Sequence, residues 1–379
     1  MARSKISLQD CFSVVRDPRR EHQRFHPLWD IIAITICAVV AGADCWPEVA
    51  AYGRCKEEWL ASFLELPFGI PSHDTFARVF ALLDPLSFQE GFKNWVQALV
   101  EATEGRVIAI DGKTLRHSFD HAKDKSALHL VGAWAAENNL ILGQQAVDRK
   151  SNEITAIPKL LEMIDVSGAI VTIDAMGCQK EIAAKIVEKK GDYVLALKGN
   201  QENLHRDVKN LFLKALENDF EGLEHQSCRT TDSGHGREET RVYYVVEAPE
   251  DLVKRYPEWK GLKTLGLAIS ERQVGDATPT VEMRFYLSSL DAKVKTFARA
   301  VRGHWKIENQ LHWVLDVSFH EDGSRLREGH AQENLALIRR MAVSLLQKET
   351  TAKQGVAGKR KKAGWDDDFL LKVLGNALA

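Results

Sequence analysis

Asp111 follows the apolar run 107–110 in "RVIAIDGKTLR", and Asp174 follows a second such run in "GAIVTIDAMG". Each run reads as a strand, and each aspartate precedes a small residue and then a turn or helix. If the two strands lie side by side, both carboxylates reach one edge of a sheet. Two hard oxygen donors there can share Mg2+. A third acid to complete the set is Glu308, in the helical segment "RGHWKIENQLHWVLD". Trp305, Ile307, Leu311 and Val314 can face a core, while Glu308 and His312 are four apart and share a face. A glutamate turned towards such a core is unusual unless it is paired or metal-bound. Taken singly, each acid reads as structural, and Asp111-Gly112 alone is ordinary turn chemistry. Three acids on strand, strand and helix together shift the balance.

The elements that must position these acids follow from periodicity. Residues 1–100 carry long helical apolar patterns and read as an all-α N-terminal domain. Within it, "GIPSHDTFARVFALLD" has a turn after which Ser72 or Asp74 can cap a helix. That turn suits either a plain helical hairpin, the commoner case, or a helix-turn-helix-like DNA reader with Ser72, His73, Thr75 and Arg78 outward. The texture changes from 105 to 204. "RVIAIDG" is a strand, "LHLVGAWAAE" and "NLILGQQAVD" form a hairpin about Asn138-Asn139, and "EITAIPKLLEMID" is a helix. The strand of Asp174, a helix closed by Gly191 and the strand "DYVLALKG" follow. This is the pattern of an α/β fold with a mixed central sheet and helices on its faces. Residues 205–290 begin with a helix and continue as strands parted by polar turns, a β-rich insertion. Helices return over 291–348, and 349–379 reads as a basic tail.

The charge balance of −2 over 379 residues gives no global pull towards nucleic acid, so any such contact rests on local patches. Residues 16–26 ("RDPRREHQRFH") and 353–362 ("KQGVAGKRKK") are two, each readable equally as a solvated surface. The cysteines are Cys11, Cys37, Cys45, Cys55, Cys178 and Cys228, with no C-x-x-C pair and no zinc spacing. Without a secretory signal, the reducing cytoplasm is the simplest compartment. The apolar run 31–43 is too short to span a bilayer and reads as a buried helix; no membrane role is expected. No Gly-rich phosphate loop is present, which disfavours a sugar- or nucleotide-binding domain.

Taken jointly, "AIDGKTLR", "VTIDAMGCQKEIAAKIVEKKGDYVLALKGNQ", "SGHGREETR" and "RGHWKIENQLHWVLDVSFHEDGSR" resemble the DDE transposases of bacterial insertion sequences, in the ISAs-type branch with the H-repeat-associated proteins. The resemblance covers about 105–346, and the helical N-terminal region resembles the domain that precedes this core. It implies an RNase H-like fold with Asp111, Asp174 and Glu308 as the catalytic, metal-binding triad. It implies Mg2+ as cofactor, with Mn2+ able to substitute. It also implies DNA as partner, both element ends and target, and a homodimer when DNA is bound. Related enzymes carry a tyrosine, an arginine and a lysine around the helical glutamate. Here those positions hold Val301, His304 and Leu315, so Arg302, His304 and His312 stand as substitutes for holding DNA ends. Further phosphate contacts would be Lys113, Arg116, Lys198, Arg237 and Arg241. Arg237 and Arg241 have an alternative in pairing with Glu238 or Glu239. His235 joins the DNA-binding set, although a loop histidine is more often merely exposed. Trp134, Trp305 and Trp313 could stack on a flipped base, but Trp305 and Trp313 read first as core. The rival expectations are a metal-dependent nuclease without strand transfer and a DNA-binding relic without turnover.

Overall fold

The apolar runs that carry Asp111 and Asp174 become neighbouring strands of one mixed sheet of nine strands. The computed structural model describes residues 7–99, 106–119, 126–147, 151–234, 236–275 and 277–375. The strands are β1 (Val107–Leu115), β2 (Leu128–Ala135), β3 (Leu140–Ala146), β4 (Ile170–Ile173), β5 (Asp192–Leu197), β6 (His225–Gly234), β7 (Arg237–Glu247), β8 (Thr264–Val274) and β9 (Thr280–Ser288). Their order is β3-β2-β1-β4-β5-β9-β8-β7-β6. β1, β4 and β5 are parallel, while β2 and β3 fold back as an antiparallel hairpin. This is the RNase H-like arrangement. The first four residues of β1 and all of β4 are buried, which is why both read as unbroken apolar runs rather than alternating ones.

Before the sheet come α1 (Leu8–Phe12), α2 (Leu28–Val40), α3 (Trp46–Cys55), α4 (Glu57–Leu60), α5 (His73–Leu82) and α6 (Pro85–Leu99). α2 is apolar nearly all round because it is enclosed nearly all round. Among the described residues, no helix is long and apolar enough to cross a membrane. Ser72, rather than Asp74, caps α5, its side chain accepting from Thr75 N at 3.3 Å. Crossovers run through α7 (Glu153–Met163) and α8 (Lys180–Glu188). Lys190, not Gly191, takes the left-handed conformation after α8, with φ 60°.

The strands beyond α9 (Glu202–Glu217) and around α10 (Glu250–Arg255) do not make a separate sheet. β9 pairs with β5, and β8, β7 and β6 extend the same sheet outward. The sequence of β8, "TLGLAISERQV", turns from apolar to polar along its length. Burial follows it, so one end of the four-stranded meander joins the core and the other projects as an exposed ribbon.

α11 (Val294–Lys306) lies against β1 and β4. Gly303 permits the approach, since a Cβ there would stand 2.8 Å from Val107 Cγ1. The chain continues through one wide π turn (Ile307–His312) into α12 (Trp313–Phe319). α13 (Ala331–Lys348) is then buried along almost its whole length between the N-terminal helices and β3. Asn334 donates from Nδ2 to the carbonyls of Phe80 at 2.9 Å and Leu83 at 3.0 Å, satisfying the C-terminal end of α5.

Through Gly375, the segment read as a basic tail is folded. α14 (Val356–Trp365) and α15 (Asp367–Leu374) pack on α13. Lys359 and Arg360, both from the second basic patch, are buried. Arg360 donates to Val39 O at 2.9 Å, Ala43 O at 2.8 Å and Asp44 Oδ1 at 2.6 Å, and also to Ser318 O. Its guanidinium thus caps the end of α2 and ties it to α12. In the first patch Arg19 is likewise buried, bonded to Asp17 at 2.7 Å. Arg360→Met should therefore cost about 3 kcal/mol or more, because buried carbonyls and a carboxylate lose their donor. Chemical denaturation of the full chain checks this; an unchanged midpoint would refute it.

Candidate active site

Asp111 does not end its strand. β1 continues through Gly112 to Leu115, so Asp111 is an interior residue where a turn was the plainer expectation. The parallel register pairs Ile110 with Ile173, so Asp111 and Asp174 come next on adjacent strands. Asp174 follows the last residue of β4. Its Oδ1 accepts from Met176 N at 3.0 Å and Gly177 N at 3.2 Å, which fixes the side chain. Burial, and then the Asp174 charge, push the Asp111 carboxyl up to about 7; Glu153 and Glu308 add to the rise. Burial also raises Asp174, Glu153 raises it further, and Lys198 opposes the shift.

Glu308 lies in the π turn. The wide turn keeps Ile307 and Leu311 buried and leaves Glu308 exposed, contrary to the inward placement expected. Such turns interrupt an α-helix at a cost and occur often at functional sites. Glu308 lines a cleft of about 170 Å3 with Asp174, Lys198, Arg284, His304 and Trp305. The same glutamate borders a larger groove of about 530 Å3 under the exposed ribbon, lined also by Arg237, Arg241 and Arg302. Trp305 carries the Arg284 guanidinium over its ring at 4.2 Å.

The two histidines of this helix face inward. His312 Nδ1 is 3.5 Å from Asp111 Oδ2. Burial first, then Arg340, Lys113 and His304, push its imidazole down to about 3, so it is a neutral neighbour of Asp111 and not an ion-pair partner. His304 is pushed down to about 4 by burial, and its Nδ1 lies 3.2 Å from Thr172 Oγ1. Neither presents a positive charge to a phosphate.

Several expected phosphate contacts are already engaged. Lys113 is buried, with Nζ 2.6 Å and 2.8 Å from the Asp316 oxygens and 3.3 Å from Asp322. Those carboxylates enclose it, so it is not open to DNA. Arg241 lies between Asp232 at 2.6 Å and Glu239 at 2.5 Å. Arg237 also meets Glu239, at 3.3 Å, and Arg302 meets Asp232 at 2.8 Å, but both of these stay partly exposed. Arg116 is largely exposed beside Asp322, and Lys198 is exposed at the cleft. His235 lies outside the described residues. Trp134 is fully buried, whereas Trp313, read first as core, is 58% exposed. Its helix packs on the other side, through Val314, Leu315 and Phe319.

The family model described as "Transposase DDE domain" matches residues 102–345, and the one described as "DDE_Tnp_1-associated" matches 9–96. The chain belongs to the DDE transposase family. It is 45% identical over 370 residues to "Putative transposase YncI" of Escherichia coli O157:H7, covering 97% of this chain and 94% of that protein. It is 42% identical over 371 residues to "H repeat-associated putative transposase YhhI" of Escherichia coli K12, covering 97% of both. A cryo-EM structure of a piggyBac transposase synaptic complex with hairpin DNA gives a TM-score of 0.44 at 11% identity, over 100% of this chain and 82% of that one.

Membership of this family implies a divalent cation, and the donor chemistry here fits one. Two hard oxygen donors, Asp111 and Asp174, come next to each other on adjacent strands, and burial and then like charge raise the Asp111 carboxyl. Among the described residues, no three such side chains stand close enough to coordinate one ion as they are.

The repulsion has a sign that can be measured. Because the folded-state pKa of Asp111 lies above the ordinary value of 3.8, ionising it opposes folding. The penalty is absent below about pH 4 and complete above about pH 7. In EDTA, Asp111→Asn should therefore be more stable than wild type at pH 8 by about 1–3 kcal/mol and melt higher, with the gap closing towards pH 4. Thermal denaturation across this range checks it, and a lower melting point at pH 8 would contradict it.

Proposed function

We propose that this chain is a transposase that cuts DNA at the ends of an insertion sequence and joins the freed strand to target DNA, with Asp111, Asp174 and Glu308 as its catalytic carboxylates. The observation that carries the reading is the placement of Asp111 and Asp174 on neighbouring parallel strands, with Glu308 on the helix that crosses them. A pair of Mg2+ ions, or Mn2+, bound there would lower the pKa of water and offset charge on the scissile phosphodiester. Asp111, Asp174 and Glu308 would hold them.

The surrounding side chains have separate tasks. His312, neutral and half-buried, limits the positions open to the Asp111 carboxylate. Lys198 sits where a phosphate entering the cleft would meet it, and Arg302, Arg237 and Arg116 are the further phosphate contacts. In cleavage, water attacks phosphorus and the 3′ oxygen leaves. In joining, that 3′-OH attacks a target phosphodiester at the same site, so only the nucleophile changes. Two ends must be joined together, which calls for a homodimer on DNA. The reaction would take place in the cytoplasm.

With end-bearing DNA and Mg2+, wild type should nick at the element ends. Asp111→Ala, Asp174→Ala and Glu308→Ala should each lose about 10³-fold or more while still shifting DNA in a gel. EDTA should abolish cleavage. Persistent cleavage by Asp111→Ala would overturn the assignment, and saturated DNA without cleavage in wild type would make the chain a DNA-binding relic. A nicked product without strand transfer would make it a nuclease. Lys198→Ala should weaken DNA binding and lower the slope of log K against log salt by about 1. Lys113→Met should leave that slope unchanged and lower the melting temperature, since it strips a buried cation from two carboxylates.

A further inference from the structure

The helix that carries Glu308 follows β1 in the same direction. Gly303 meets Val107 first, His312 Nδ1 then stands 3.5 Å from Asp111 Oδ2, and Asp316 meets Lys113 beyond that. Side chains two apart share one face of a strand, so Val107, Asp111 and Lys113 all point to the side that this helix covers. From Val107 to Lys113 a strand advances about 20 Å, and from Gly303 to Asp316 a helix rises about 20 Å. Strand and helix therefore keep register over the whole length of the contact.

The two ends of the helix are seated by different means. α11 is held by the close approach of Gly303 and by His304, whose Nδ1 is 3.2 Å from Thr172 Oγ1 on β4. α12 is held by charge. Lys113 Nζ donates to both Asp316 oxygens, at 2.6 Å and 2.8 Å, and to Asp322 Oδ1 in the short turn after α12, at 3.3 Å. The lysine is buried, while both aspartates are partly open to solvent. Such a pair is a poor source of stability compared with apolar packing, but it fixes register, because a displaced partner leaves a bare buried charge. Between the two anchors lies the π turn, in which Trp313 N–H donates to Glu308 O. Rewinding that turn to regular α-helix would rotate α12 by about 100° and move it by about 1.5 Å relative to α11. Asp316 would then leave Lys113, and His312 would leave Asp111.

We propose that Lys113 and Asp316 are positioning residues: their ion pair holds the π turn wide and so sets Glu308 and His312 against the edge of the sheet that carries Asp111 and Asp174. This rests on the carboxylate reading of the site given above. Lys113→Met/Asp316→Leu removes both charges of the pair together and leaves Asp322 with Arg116 at 3.5 Å, so it should melt close to wild type. With saturating end-bearing DNA and Mg2+ it should nick about 10²-fold more slowly in a single turnover, with DNA affinity unchanged. In the metal-free protein, the exposure of the Trp313 ring should also change, read from the relaxation of fluorotryptophan by a soluble paramagnetic agent and assigned with Trp313→Phe. A pair that only lent stability would leave both the rate and this exposure as in wild type. Asp316→Asn, at a partly open position, should shift both in the same direction by less, and it decides the matter if the double variant does not fold. A wild-type rate or an unchanged Trp313 exposure in the folded variant would overturn the positioning role, and the proposed function would stand if Asp111→Ala abolished nicking in the same assay. Nicking absent from wild type, or indifferent to Asp111→Ala, would overturn both.

Discussion

Half-burying Asp111 beside Asp174 raises the energy of the folded chain, and much of the architecture holds the two together against that repulsion. The parallel register of β1 and β4 sets them side by side. Backbone amides at Met176 and Gly177 pin one of them, and the neutral ring of His312 borders the other. A half-buried like-charge pair of this kind is costly unless a cation joins it, and such a pair is what a metal-dependent site needs. The strain sits in side-chain charge rather than in the backbone of the strands, which is regular on both sides of Asp111.

The helix that brings Glu308 depends on packing far from it. α11 can press on β1 because Gly303 has no side chain, and the π turn then reorients the helix so that its acid opens to the cleft while Ile307 and Leu311 stay in the core. Beyond it, α13 runs buried between the N-terminal helices and the edge of the sheet. Buried polar contacts there are specific and long-range: Asn334 on the end of α5, Arg340 with Glu321 at 2.8 Å, and Arg360 on the end of α2. Satisfying so many buried groups defines one arrangement of helices, since any slippage would leave polar atoms unpaired.

The four-stranded extension joins two roles in one piece of sheet. Its inner half continues the core through β9 on β5, and its outer half carries charge into solvent over the groove beside Glu308. Most of the arginines there are matched by acids, Arg241 by both Asp232 and Glu239. The groove is therefore a balanced surface with ordered guanidiniums rather than a bare positive strip, in keeping with a chain whose net charge is −2.

By itself the sequence determined what local periodicity and residue chemistry can determine. It showed the apolar strands of Asp111 and Asp174, the helix of Glu308, the enclosed α2, the hairpin at Asn138-Asn139, and the family resemblance carried by those motifs. These depend on neighbours a few positions apart. Tertiary structure alone decided that β1 runs on past Asp111, that the β-rich stretch extends the central sheet, and that Trp313 faces out. It also decided that Lys113 is enclosed by Asp316 and Asp322, that Arg360 is a buried cap instead of part of a loose tail, and that Glu153 meets His129. Each of these is a contact between residues far apart in the chain, or a choice between faces of one element. An exposed and a buried lysine are the same letter until the partner carboxylate is in place.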